Sequence, residues 1–186
     1  MKEKKQCDGS LHSLLFVPPM NGGGMEIIMF GSLFGKKKDT FASPFTGKLC
    51  SITETPDEAF AEKMNGDGFM VEPADGDVFA PADSTVNFVF ETKHALGLTT
   101  KDGREYMLHI GIDTVNLKGN GFTVFVEDGQ AVKKGDKLMT FDTAYVKANA
   151  PSDACLCVFT DLPEGKEVSL LKTGNVKALE DAVEIS

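Results

Sequence analysis

From Phe41 onward, apolar and polar residues alternate in short bursts separated by turn-forming residues. Val86-Asn87-Phe88-Val89-Phe90 and Cys155-Leu156-Cys157-Val158-Phe159 show the pattern, and period-two alternation over so few residues predicts strands. A segment combining Ala with Pro precedes each: Ala80-Pro81-Ala82-Asp83-Ser84 and Ala148-Asn149-Ala150-Pro151-Ser152-Asp153. Ala42-Ser43-Pro44-Phe45-Thr46-Gly47 is a fainter third copy. Repeated turn–strand units of this size predict an all-β chain, a compact antiparallel β-sandwich or barrel with little helix. Glu58–Met64 is the best candidate for a short helix, with Thr55 or Asp57 near its start as caps. Gly129-Gln130 and Gly135-Asp136 read as turn residues.

The first forty residues do not share the pattern. Lys2-Glu3-Lys4-Lys5, Pro18-Pro19 and Gly22-Gly23-Gly24 oppose regular packing, which divides the chain into a flexible N-terminal segment, 1–40, and a domain, 41–186. His12, in this segment, reads as exposed and inert. Met29-Phe30-Gly31-Ser32-Leu33-Phe34-Gly35 followed by Lys36-Lys37-Lys38 reads as a linker, and the same pairing of apolar and basic residues could give weak peripheral contact with a membrane surface. The apolar run Leu14–Val17 is too short to span a membrane and lacks a signal-peptide cleavage pattern, so the expected location is cytoplasmic.

Composition sharpens this outline. Fourteen Phe and nineteen Gly without Trp suit short strands and tight turns in a chain of 186 residues, long enough for one sizeable core. A net charge of −9 argues against general nucleic-acid binding, which needs a basic surface. It suits a basic protein partner, although solubility alone would also explain it. Cys7, Cys50, Cys155 and Cys157 form neither a disulfide framework nor a Cys-x-x-Cys zinc pattern; Cys155 and Cys157 share one strand face and read as small buried hydrophobes.

The candidate chemistry lies in His94 and His109. Between them is Lys101-Asp102-Gly103-Arg104, and Asp-Gly between strand-like runs is a hairpin signal. With Asp102 and Gly103 as a two-residue turn, His94 faces Gly111, His109 faces Leu96, Thr92 faces Asp113 and Phe90 faces Val115. The imidazoles then become diagonal neighbours on one face, with backbones roughly 7–8 Å apart. A bulge at Gly97 would undo that facing. A lone histidine is more often structural than catalytic. A convergent pair with Thr and Asp beside it suits either metal binding or a nucleophilic imidazole positioned by its neighbour.

The run Phe90-Glu91-Thr92-Lys93-His94-Ala95, with Leu108-His109-Ile110-Gly111-Ile112-Asp113-Thr114-Val115-Asn116-Leu117-Lys118-Gly119-Asn120-Gly121-Phe122, resembles enzyme IIA of the bacterial glucose-type sugar phosphotransferase system. Pro56-Asp57, Phe60-Ala61-Glu62-Lys63, Gly66-Asp67-Gly68 and Glu127-Asp128-Gly129-Gln130 extend the resemblance over roughly residues 41–186. It implies an antiparallel β-sandwich and a phosphocarrier. The donor would be the phosphohistidine form of the carrier protein HPr, and the acceptor a cysteine of a sugar-specific enzyme IIB or IIBC. By the same resemblance His109 is the phosphorylated residue, which the residues alone do not decide between the two histidines. His94 and Thr92 would donate hydrogen bonds to the phosphoryl oxygens, and Gly111 would leave room for a partner's backbone. Phe60, Phe90 and Val115 would give apolar contact, and Asp57 and Asp113 would face basic residues of HPr. Asn116 stands where some glucose-specific relatives are acidic, which removes the basis for carrying over their regulatory contacts. No cofactor is required, although the two imidazoles could share a zinc with a partner.

Two other functions have sequence support. A lysostaphin-like zinc peptidase is also β- and glycine-rich, but needs a His-x-His pair with a further His and an Asp, and the domain offers only His94 and His109. A biotinyl- or lipoyl-type carrier would modify a lysine at a hairpin tip, whereas Lys93 is expected in mid-strand, facing away from the histidines.

Overall fold

The structure, a computed structural model, describes residues 38–186. The strands are β1 (Thr40–Ala42), β2 (Gly47–Ser51), β3 (Asp67–Pro73), β4 (Asp77–Phe79), β5 (Ser84–Val89), β6 (Ala95–Thr100) and β7 (Glu105–Ile112). They continue as β8 (Phe122–Val124), β9 (Ala131–Val132), β10 (Lys137–Phe141), β11 (Ser152–Phe159), β12 (Val168–Leu170), β13 (Gly174–Val176) and β14 (Asp181–Ile185). Helix α1 (Glu58–Ala61) and helix α2 (Thr143–Asn149) are short. The largest sheet runs β13-β2-β3-β11-β7-β6-β5-β9, and two three-stranded sheets run β1-β14-β12 and β4-β10-β8. Every strand pairing is antiparallel, the all-β architecture that the alternation predicts. The apolar and basic segment at 29–37, His12 and Cys7 lie outside the described residues.

The large sheet has two apolar faces of unequal size. Tyr106, Leu108 and Ile110 of β7 and Cys155, Cys157 and Phe159 of β11 point into the main core with Phe41, Phe45 and Leu138. Cys155 and Cys157 are thus buried on one strand face, as their spacing predicts, and burial pushes both thiols up from their ordinary range. On the opposite, outer face a smaller cluster joins Cys50, Ile52, Phe60, Met70, Leu156 and Val158. One row of directly opposed residues crosses this outer face: Cys50, Met70, Leu156, His109 and Ala95. Opposed residues share a face, so the ladder mounts His109 outside the main core and beside the smaller cluster.

Helix α1 covers that cluster. The Asp57 carboxylate accepts the Phe60 N–H at 3.1 Å and so caps the helix, as one of the two sequence candidates predicts. Thr55 instead closes the preceding 3₁₀ turn, Ile52–Glu54, by donating its hydroxyl hydrogen to the Ile52 carbonyl at 2.7 Å. The helix ends at Ala61, three residues short of expectation, because Lys63 takes a left-handed φ of 57°.

Beyond His109 the alternation changes. Ile110 points to the main core and Ile112 to the outer cluster, although two residues apart they would share a face in a regular strand. A bulge accounts for this: the register shifts between Ser152 and Cys155 of β11, and Gly111 between the two isoleucines has φ of +71°. A Cβ on Gly111 would lie 2.4 Å from Thr114 Cγ2 and 3.0 Å from the Ser152 carbonyl. Gly111 is buried, and the chain itself fills the space the sequence suggested for a partner's backbone. Gly111→Ala should therefore destabilise the domain by about 1–3 kcal/mol through strain and overpacking, measured as a lowered midpoint in denaturant unfolding. An unchanged midpoint would mean that the bulge relaxes freely.

Candidate functional site

Two successive hairpins bring the histidines together, not one. The Asp-Gly signal does mark the turn between β6 and β7, but the loop has three residues, Lys101-Asp102-Gly103, with Gly103 at φ of +90° and its N–H donated to the Thr100 carbonyl. Three-residue loops ending in a left-handed glycine are the alternative to the two-residue turn. The register is consequently one residue from the expected one. His109 faces Ala95, and Leu108 faces Leu96. The predicted pairs His94–Gly111, His109–Leu96, Thr92–Asp113 and Phe90–Val115 do not form. Residues 90–94 are not in a strand at all; they form the tip of the β5–β6 hairpin, where Phe90 N–H bonds the Ala95 carbonyl at 3.1 Å. Lys93, expected in mid-strand, lies in that tip with φ of 58°. The chain turns there, and this brings the His94 ring to the outer face beside His109.

The imidazoles meet edge to face, with centroids 5.0 Å apart and planes at 85°. His94 is buried, and its Nδ1 is 2.7 Å from the Thr92 hydroxyl oxygen. Burial alone lowers the His94 pKa from its ordinary value. His109 is held further down, to about 4, first by burial and then by its histidine neighbour, against opposing pulls from the Gly111 backbone and Asp57. Its Nδ1 is the one buried side-chain nitrogen or oxygen without a hydrogen-bond partner among the described residues. The Gly111 backbone therefore lies near enough to favour a proton on the ring without making a well-aligned bond.

Aromatic rings continue the pair on both sides. Phe60 packs on His109 at 5.1 Å, Phe90 on His94 at 5.1 Å, and Phe88 on Phe90 at 5.2 Å. Phe60 is buried, whereas Phe88 and Phe90 are 40% and 44% exposed. Sequence reasoning missed Phe88 as part of this assembly, although plain alternation puts it on the same face as Phe90, Thr92 and His94; the expected cross-strand pairs reach only as far as Phe90. Asp113 and Val115 are exposed at the turn that follows β7, Asp113 in the left-handed conformation and Val115 in the 3₁₀ turn Thr114–Leu117. Among the described residues no three His, Cys, Asp or Glu side chains form a metal site. His94 and His109 alone would supply two of the four ligands of a tetrahedral zinc.

A sequence profile of the phosphoenolpyruvate-dependent sugar phosphotransferase system, EIIA 1, matches residues 39–164. The chain belongs to this EIIA family. It is 41% identical over 160 residues to the glucose-specific EIIA component of Oceanobacillus iheyensis, covering 83% of this chain and 97% of that one. It is 40% identical over 146 residues to the glucosamine-specific EIICBA component of Bacillus subtilis, covering 78% of this chain but 23% of that protein. The structure of glucose permease IIA from Mycoplasma capricolum matches with a TM-score of 0.73 and 42% identity over 83% of this chain and 98% of that one. An EIIA protein is a phosphoryl carrier of sugar uptake, and this chain is one. The zinc-peptidase and biotinyl- or lipoyl-carrier alternatives find no support. For the carrier it is the family match that decides, since Lys93 does occupy a hairpin tip. Among the described residues no helix is long and apolar enough to cross a membrane.

The depressed pKa of His109 has a measurable consequence. The unfolded chain binds a proton near 6.5 and the folded chain only near 4, so protonation favours unfolding. The stability that His109 contributes is complete above pH 6.5 and declines as pH falls through this window to about 4. The loss should reach about 3 kcal/mol at most, and His109→Gln should flatten it. Denaturant unfolding at pH 7, 5.5 and 4.5 checks this; equal pH dependence in both proteins would refute the assignment.

Proposed function

We propose that His109 carries the phosphoryl group, receiving it from the phosphohistidine form of HPr and yielding it to a cysteine of a sugar-specific enzyme IIB or IIBC in the cytoplasm. The observation that carries this reading is the pair of edge-to-face imidazoles, one buried and tied to Thr92, the other kept neutral. A neutral ring has the lone pair needed for attack. With Nδ1 of His109 enclosed, Nε2 is the nucleophilic atom. As its bond to phosphorus forms, the bond between phosphorus and the HPr imidazole breaks, and that ring keeps the electron pair. In the second transfer a cysteine thiolate attacks phosphorus and the bond to His109 Nε2 breaks, returning the lone pair to the ring.

His94 supports charge on the transferring oxygens through its own Nε2–H. Thr92 takes a different part from that implied by resemblance: its hydroxyl is engaged with His94 Nδ1, so it orients that ring, with no direct contact to the phosphoryl group. Phe90, Val115 and Asp113, all exposed, together with the half-buried Asp57 at the start of α1, form the contact surface for HPr and enzyme IIB; Phe60, expected to share in it, is buried and instead backs the His109 ring. The EIICBA name of the Bacillus subtilis relative supports an enzyme IIB as acceptor, and the relatives' names support a glucose-type sugar route. Gly111 acts through the bulge that it permits.

Incubation with enzyme I, HPr and labelled phosphoenolpyruvate, followed by phosphosite mapping, tests the assignment. His109→Ala should abolish acceptance. His94→Gln keeps an N–H donor near the phosphoryl oxygens and should still accept from HPr, yet it cannot carry the positive charge available to an imidazolium and should pass the group to enzyme IIB about a hundredfold more slowly. Acid-labile phosphate on His94 of the His109→Ala protein, with onward transfer intact, would overturn the reading.

The carrier domain does not need residues 1–37. The ladder starts at Thr40, and Asp39 is already tied to Arg104 at 2.7 Å and to the Ile185 N–H at 2.8 Å. A chain lacking 1–37 should accept phosphoryl from HPr at an essentially unchanged rate in a stopped-time labelling assay. A large loss would assign part of the docking surface to those residues.

A further inference from the structure

Phe88 occupies a place that ordinary strand geometry denies it. Val86 of β5 is fully buried in the main core, and a regular strand would send Phe88 the same way. The pairing of β5 with β6 shifts between Val86 and Phe88, since Val86 faces Leu98 while Phe88 faces Gly97. Asn87 is therefore the extra residue of a bulge, and its side-chain amide donates to the Thr99 hydroxyl at 2.7 Å. The bulge turns Phe88 onto the outer face.

Gly97 receives the ring. A Cβ there would fall 2.2 Å from Phe88 Cε1, 2.4 Å from Cζ and 2.8 Å from Cδ1, so the ring lies directly on the glycine backbone. From that seat Phe88 meets Phe90 edge to face, at 5.2 Å and 87°. Phe90 in turn meets His94 at 5.1 Å and 50°. The His94 ring is thus held at one edge by the Thr92 hydroxyl and on another side by an edge-to-face pair of phenylalanines. Phe90 is at the tip of a hairpin and 44% exposed, so it depends on Phe88 for its side-chain orientation more than a core residue would.

We propose that Phe88 is a positioning residue for phosphoryl transfer: seated on Gly97 by the bulge at Asn87, it fixes Phe90 and, through Phe90, the His94 ring. This rests on the roles given above to His94 and His109. Phe88 touches neither imidazole and acts through Phe90. Its removal should alter the rate of transfer more than the affinity for partners.

The full chain tests this as Phe88→Ala, Phe88→Leu and Phe88→Tyr, assayed for transfer from phospho-HPr and to enzyme IIB. In the Ala and Leu variants kcat should fall about two- to tenfold, the span of an aromatic edge-to-face contact, with KM for either partner nearly constant. Tyr, which keeps the ring, should restore kcat. Without any partner, the His94 ring-proton NMR signals should move in Phe88→Ala and return in Phe88→Tyr. Gly97→Ala should reproduce the Phe88→Ala signature, and should add little to it in the double variant. A raised KM at constant kcat would overturn the proposal and make Phe88 a docking contact. Unmoved His94 signals would overturn it as well. The His109→Ala control separates the two levels: retained acceptance there sinks the phosphosite assignment, whereas the NMR comparison judges Phe88 independently of it.

Discussion

The pairing of β7 between β11 and β6 is the constraint on which the site depends. It fixes Tyr106, Leu108 and Ile110 in the main core, and the same alternation obliges His109 to face outward. Moving His109 would require sliding a strand whose other face is fully buried, so a one-residue slip would expose three core residues at once. The imidazole thereby gains a fixed backbone position without any tie of its own beyond Phe60, His94 and the Gly111 backbone. Its partner is held quite differently, by a hairpin tip, a hydroxyl and a tilted phenylalanine ring. One imidazole is thus placed by the strand ladder and the other by side-chain contacts, and the two supports can be perturbed separately.

Much of this was legible in the sequence, and the failures have definite causes. Short alternating bursts gave the antiparallel all-β architecture, and Asp57 was legible as a cap. The convergence of His94 and His109 was also legible, but by an argument whose register was wrong. Asp-Gly suits a two-residue turn and also the end of a three-residue loop, and nothing local in Lys101-Asp102-Gly103-Arg104 chooses between them. That choice shifts every cross-strand partner by one. The left-handed turn at Lys93 then brings His94 back to the correct face, and a lysine carries no sequence signal for such a conformation.

Bulges account for the rest. Gly97 was suspected of hosting one, but the extra residue is Asn87 on the opposite strand, and Gly97 is the surface that the displaced Phe88 covers. Gly111 likewise serves the fold's own packing at a second bulge. Both glycines are demanded by contacts across the sheet, which a single sequence cannot display. Helix α1 fell short of its expected length because Lys63, again a lysine in a left-handed conformation, ends it early.

The ends of the large sheet bear on what contacts its outer face can make. A face that presents Phe88 and Phe90 to water invites self-association, and a long free strand edge beside it would turn chance contact into sheet growth. The outermost strands are β13 and β9, of three and two residues. Lys133 and Lys134 follow β9 immediately, and β13 opens on a glycine. Neither edge offers enough backbone to template another chain. Contacts made by this face stay limited to side chains, which come apart as readily as a shuttle between two proteins requires.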